Sequence, residues 1–118
     1  MLEGKRILVV EDEPLVAMLL EEMLLDLGCA VVGPAYSLRE GERLAGEAEI
    51  DAAVLDVNLN GEMSDPIANT LRARGVPFAL ATGYGPSAPM AADGAVPVLQ
   101  KPYPAAKLEA ALRAMLAD

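Results

Sequence analysis

Short apolar runs of β-branched character alternate with longer segments of helical spacing along this chain. Runs near residues 5–10, 30–35, 51–55, 77–82 and 95–100 read as strands. Segments near 14–27, 37–48, 62–74, 84–92 and 104–117 read as helices. A helix between successive strands carries the chain back across the sheet, so the strands run parallel and helices cover both faces. The expected fold is an α/β, doubly wound, five-stranded parallel sheet. At 118 residues the chain fits one domain spanning 1–118, with no repeat or linker inside it.

Local signals mark most helix ends. Pro14 suits a first helical turn, where its missing N–H costs nothing. Glu11, Asp12 and Glu13 then lie at the positive end of that helix dipole, and Gly28 fits a left-handed cap at its far end. Ser37 with Glu40 three residues on forms a capping box for the second helix. The third follows Ser64-Asp65-Pro66 or starts slightly earlier, and it ends at Gly75. The last begins at Pro104, with Leu108, Leu112 and Met115 on one face. The segment 84–92 is the weak one, because Gly83, Gly85, Pro86, Pro89 and Gly94 crowd it. An interior Gly costs about 1 kcal/mol relative to Ala, and an interior Pro about 3.

Composition removes several function classes. Apolar residues make up 53% of the chain, mostly Ala and Leu, so an aliphatic core is expected. The single cysteine, Cys29, excludes an internal disulfide and a cysteine zinc site. Histidine is missing, which excludes Ser-His-Asp and Cys-His catalysis and every His-ligated metal. Carboxylate oxygen is the abundant ligand, which favours a hard cation such as Mg2+. The net charge is −9 and the nine basic residues are scattered, which argues against direct nucleic-acid binding. No apolar run approaches the ~18 residues of a membrane span, and the run after Lys5-Arg6 is too short for a signal peptide. A cytoplasmic protein is expected.

Four polar clusters follow strand-like runs. Glu11-Asp12-Glu13 follow Ile7–Val10, Asp56 follows Ala52–Leu55, Thr82 ends Pro77–Ala81, and Lys101 follows Val96–Gln100. In parallel strands all four meet at one sheet edge. Ligands of doubly wound sheets bind there, and in the order 2-1-3-4-5 strands one and three are neighbours. Asp12 and Asp56 would then lie a few ångströms apart. Like charges at 4 Å repel by roughly 1 kcal/mol in water and roughly 4 at an effective dielectric of 20. Such a cluster calls for proton uptake or a cation. With Mg2+ bound, one carboxylate can act as nucleophile toward a phosphoryl group. Lys101 can pair with Asp56 before reaction and with phosphoryl oxygens after it, and Thr82 can hydrogen-bond one of them. Lys101-Pro102 at a strand end makes Pro102 a cis-peptide candidate.

Together these motifs resemble the response-regulator receiver domain, the CheY-like phosphoacceptor of two-component signalling. The likeness runs from Ile7–Glu13 through Val54-Leu55-Asp56-Val57-Asn58 and Ala81-Thr82-Gly83 to Lys101-Pro102-Tyr103. It implies a flavodoxin-like (βα)5 fold in which Asp56 accepts a phosphoryl group from a histidine kinase or histidine phosphotransfer protein. Glu11 and Asp12 would be the acidic pair, with Asp12 the direct Mg2+ ligand. Asp56 and the backbone carbonyl of Asn58 would complete the protein ligands, with Mn2+ as the alternative ion. Thr82 and Lys101 would be the switch hydroxyl and the phosphate-binding amine. Such a domain catalyses only its own phosphorylation and dephosphorylation. It signals as a monomer or weak dimer through a downstream protein, as sink, shuttle or conformational binder. Pro77–Gly85 is also similar to the Pro-Phe-x-Phe-Ala-Thr-Gly-Tyr stretch of FATGUY receivers, often single-domain partners of non-orthodox histidine kinases. Leu80 replaces its second Phe.

Two other readings compete. An aspartyl phosphohydrolase resembles Asp-x-Asp after its first strand and carries a cap domain, whereas the acceptor here follows the third strand. A pseudo-receiver would bind partners without phosphorylation, against which Asp12, Asp56, Thr82 and Lys101 stand intact.

Departures from the family pattern concern readout. Val98 stands where most receivers carry Tyr or Phe, so the usual inward ring movement has no ring. Tyr84, Tyr103 and the Gly/Pro-rich segment are the remaining readout candidates. Asn60 stands where many receivers have Pro. The first helix carries Leu15, Val16, Met18, Leu19, Leu20, Met23, Leu24, Leu25 and Leu27, more than one core stripe requires. Leu15 and Met18 are expected to dock a kinase bundle or phosphotransfer protein. Segment 83–94 is expected to change order when Asp56 is phosphorylated. Amide hydrogen exchange with and without a phosphoryl analogue reads this, and unchanged protection across 83–94 refutes it.

Overall fold

The computed structural model describes residues 2–59, 61–82, 98–100 and 104–116. The elements in chain order are β1 (Arg6–Val10), α1 (Pro14–Asp26), β2 (Ala30–Ala35), α2 (Leu38–Glu47), β3 (Ala52–Asp56), β4 (Asn58–Leu59), β5 (Glu62–Met63), α3 (Asp65–Arg74), β6 (Phe78–Thr82), β7 (Val98–Gln100) and α4 (Ala105–Leu116). The main sheet runs β2-β1-β3-β6-β7, and its neighbouring strands are parallel. The expected helix at 84–92, residues 95–97 of the last expected strand, and the Pro102 peptide bond lie outside the described residues. The cis peptide among the described residues is Gly33–Pro34.

Period-two alternation distributes the strand side chains between two cores. Ile7, Val9, Ala52, Val54, Ala79 and Ala81 pack with Leu20 and Leu24 of α1 and Leu108 and Leu112 of α4. Leu8, Val10, Ala53, Leu55 and Leu80 pack with Ala45 of α2 and Ile67 and Leu71 of α3. Helices therefore cover both faces, which is why the strands read as continuous apolar runs. Cys29 sits in the first core, where burial pushes its thiol pKa up and keeps it a neutral, inert group.

The helix ends follow their sequence signals. α1 has Pro14 in its first turn and closes on Gly28 at φ +88°. There Gly28 N–H donates to the Leu25 carbonyl at 3.0 Å and Cys29 N–H to Leu24 at 3.0 Å, a Schellman pair. The Ser37 hydroxyl accepts from Glu40 N–H at 3.2 Å. Glu40 reaches back to Tyr36 N–H at 3.4 Å, one residue before the cap. α3 begins at Asp65, directly after Ser64 as the later of the two expected starts has it, and not near 62, because Asn58–Leu59 and Glu62–Met63 pair as a small antiparallel hairpin, β4–β5.

Gly41 lets α2 approach the sheet. It is buried, and a Cβ there would lie 2.6 Å from Ile67 Cδ1 and 3.1 and 3.3 Å from the Val10 methyls. Ile67 is enclosed and Val10 is stiff at χ1, so neither can turn aside. Gly41→Ala gains about 1 kcal/mol of helix propensity. Overpacking a filled core costs more, typically 1–3 kcal/mol. A net loss of about 1 kcal/mol in urea denaturation is expected, and a stabilised variant would refute the close approach.

Candidate functional site

Val10 of β1 lies opposite Leu55 of β3. The next residues along each chain are Glu11 and Asp56, so both leave the sheet at its carboxyl edge. Glu11 N–H donates to the Ala35 carbonyl at 2.9 Å, extending the pairing with β2. On the other side Asp56 faces Ala81 of β6, and Val57 N–H donates to the Ala81 carbonyl at 3.0 Å. Backbone pairing on both flanks therefore fixes where the two acids emerge.

One carboxylate oxygen from each of Glu11, Asp12 and Asp56 lies within 4.8 Å of the other two. Glu11 is 1% exposed and Asp56 6%, while Asp12 is half-buried. Glu13 N–H donates to Glu11 Oε2 at 3.2 Å, tying the acid to the start of α1. At this spacing each pair of ionised groups repels by about 3 kcal/mol at an effective dielectric of 20. The donor set is all oxygen. An octahedral ion with ~2.1 Å bonds holds its ligand oxygens about 3–4 Å apart, so small side-chain rotations bring these three onto Mg2+. The residues fit a hard divalent cation and offer no soft ligand.

The other sequence-derived residues are placed as follows. Asn58 lies in β4, two residues beyond Asp56. Thr82 ends β6, one register step past the partner of Asp56, and faces Gln100 of β7. Val98 faces Leu80 through the backbone of β7. Lys101, Pro102, Tyr103 and Tyr84 lie outside the described residues. On α1, Ala17, Leu20 and Leu24 face the core, while Leu15 is 65% exposed, Met18 46%, Leu19 51% and Leu25 55%. The surplus leucines therefore form an outward stripe at i, i+3, i+4 spacing. Sequence reasoning missed the β4–β5 hairpin. Its signal in the sequence was Asn60-Gly61, a dipeptide of the kind that closes tight hairpins.

A parallel doubly wound sheet with a three-carboxylate pocket at its carboxyl edge defines a receiver-type domain. The chain belongs to the response regulator receiver domain family, whose model matches residues 7–113. SdrG from Sphingomonas melonis Fr1 is 41% identical in sequence, with a TM-score of 0.80, over 99% of this chain and 100% of that one. SdrG has also been solved in a BeF3-activated conformation, 40% identical with a TM-score of 0.79 over 99% of this chain and 100% of that one. The receiver domain of sensor histidine kinase PA1611 from Pseudomonas aeruginosa PAO1 is 26% identical, with a TM-score of 0.84, over 98% of this chain and 99% of that one. That structure has a magnesium ion coordinated in its active-site cleft. The phyllosphere-induced regulator PhyR of Methylorubrum extorquens is 36% identical over 81 residues, which is 66% of this chain and 30% of PhyR. No helix among the described residues is long and apolar enough to cross a membrane.

The geometry makes a stability prediction. Without divalent cations, Asp12→Asn removes one of three crowded charges and leaves the core untouched. Urea unfolding in the presence of a chelator should show it more stable than wild type by about 1 kcal/mol. Equal or lower stability would mean that the carboxylates do not strain the folded chain.

Proposed function

We propose that this chain is a Mg2+-dependent phosphoacceptor of two-component signalling, one cytoplasmic receiver unit that takes a phosphoryl group on Asp56. The observation that carries the reading is the gathering of buried Asp56 with Glu11 and Asp12 within 4.8 Å at the carboxyl edge of the sheet. The donor is a phosphohistidine of a histidine kinase or histidine phosphotransfer protein. A carboxylate oxygen of Asp56 attacks phosphorus, the P–N bond breaks as the P–O bond forms, and the neutral imidazole leaves after taking up a proton.

Glu11, Asp12 and Asp56, with the Asn58 carbonyl, would hold the metal. When bound, Mg2+ (or Mn2+) neutralises the cluster and offsets repulsion between the acceptor and the incoming phosphoryl oxygens. Thr82 and Lys101 would bind the phosphoryl oxygens, Thr82 from the end of β6 and Lys101 from the position after β7. The chain would transform no separate substrate. Its consequence would pass to a downstream protein. Support comes from the magnesium in the PA1611 receiver cleft and from the BeF3-activated conformation of SdrG. The exposed stripe on α1 would meet the phosphodonor protein, and its largest exposure is at Leu15, close in sequence to the acids.

Intact mass after incubation with Mg2+ and acetyl phosphate tests the reading. Wild type should gain one phosphoryl group, and Asp56→Asn or chelator should abolish the gain. Leu15→Glu and Met18→Glu should accept from acetyl phosphate normally. Their transfer from the kinase should be slower by about tenfold, the loss of one interface anchor. Phosphorylation of Asp56→Asn would overturn the acceptor assignment, and equal loss from both donors would assign Leu15 and Met18 to the fold alone.

A further inference from the structure

The hairpin that follows the acceptor controls where one backbone carbonyl points. Val57 is buried, and its carbonyl accepts from Ser64 N–H at 2.9 Å. Asn58 then faces Met63, and Leu59 faces Glu62. In an antiparallel ladder, hydrogen-bonded pairs alternate with non-bonded ones. The single bond from Ser64 N–H to the Val57 carbonyl flanks Asn58 and Met63, which places these two as the non-bonded pair between it and the turn. The Asn58 carbonyl is therefore directed away from Met63, to the outer side of the hairpin. A slip of one residue would turn that carbonyl into the ladder.

Three features hold the register. Leu59 is 1% exposed and anchored in the core. Ser64 is fully buried, and its carbonyl accepts from Ile67 and Ala68 N–H at 3.0 and 3.1 Å, which locks the hairpin to the first turn of α3. The third is the connection from Leu59 to Glu62, where Gly61 has φ +90°. L side chains adopt that left-handed region only at a cost.

Building on the Mg2+ reading above, we infer that Gly61 is a positioning residue for the divalent cation: its left-handed turn sets the hairpin register that directs the Asn58 carbonyl outward, two residues beyond Asp56. Gly61 touches no ligand itself. A Cβ at Gly61 would meet nothing within 4 Å, so a substitution there acts through the backbone alone. Gly75 supplies the matched control. It has φ +72° with nothing within 4 Å, and it ends α3 rather than the hairpin.

Mg2+ titration of the intact chain, followed by amide chemical shifts, separates the possibilities, with urea unfolding run in parallel. Gly61→Ala should bind Mg2+ about fivefold more weakly, equivalent to about 1 kcal/mol. Gly61→Asn, which tolerates the left-handed region, should stay within about twofold of wild type. Gly75→Ala should lose comparable stability yet keep wild-type Mg2+ affinity. Unchanged affinity in Gly61→Ala, or equal weakening in Gly75→Ala, overturns the inference and leaves the acceptor reading standing. A wild-type chain that takes up no Mg2+ overturns the metal reading and this inference together.

Discussion

Parallel pairing of β1 with β3 is the constraint on which the rest depends. Ile7 to Val10 face Ala52 to Leu55 one for one. Both strands are buried on both faces, with exposures of 0–1%. A one-residue slip would move every side chain into the opposite core, and the two cores differ. One is shaped around α1 and α4, the other around α2 and α3. Burial thus enforces the register, and the register places Glu11 level with Asp56. The site is a consequence of packing several residues away from it.

That placement is electrostatically costly. Three carboxylates within 4.8 Å oppose folding unless something compensates. Part of the compensation is local. Asp12 keeps access to water, and Glu11 accepts the Glu13 N–H at 3.2 Å. Glu11 and Asp12 also precede α1 and lie near its positive dipole end. A cluster of this kind suits a hard divalent cation. The aliphatic cores on both sides of the sheet provide the stability that allows charge to gather at one edge.

Legibility followed the range of the interaction. Ser37, Gly28 and Gly75 were readable as helix ends because capping is decided within four residues. The carboxyl edge of the sheet was readable because the acids at Glu11-Asp12 and Asp56 follow apolar runs. The β4–β5 hairpin was not. Its strands are two residues long and show no alternation, so Asn60-Gly61 competed with the helical signals of the α3 start. The orientation of α1 was also hidden. Nine apolar residues allow several inward faces, and only contact with the sheet chose Ala17, Leu20 and Leu24 and left Leu15, Met18, Leu19 and Leu25 outside. Gly41 showed in the sequence only as a weak helix residue. Its value lies in the 2.6 Å approach to Ile67, a partner 26 positions away.

By itself, the sequence determined the strand–helix alternation, the oxygen-only ligand set and the acids that end strands one and three, because each of these is a local property of residue type and spacing. Tertiary structure decided which strands are neighbours, which face of α1 meets water and which way the Asn58 carbonyl points. Those depend on long-range register, and register is chosen by how buried side chains from distant segments fill the same space.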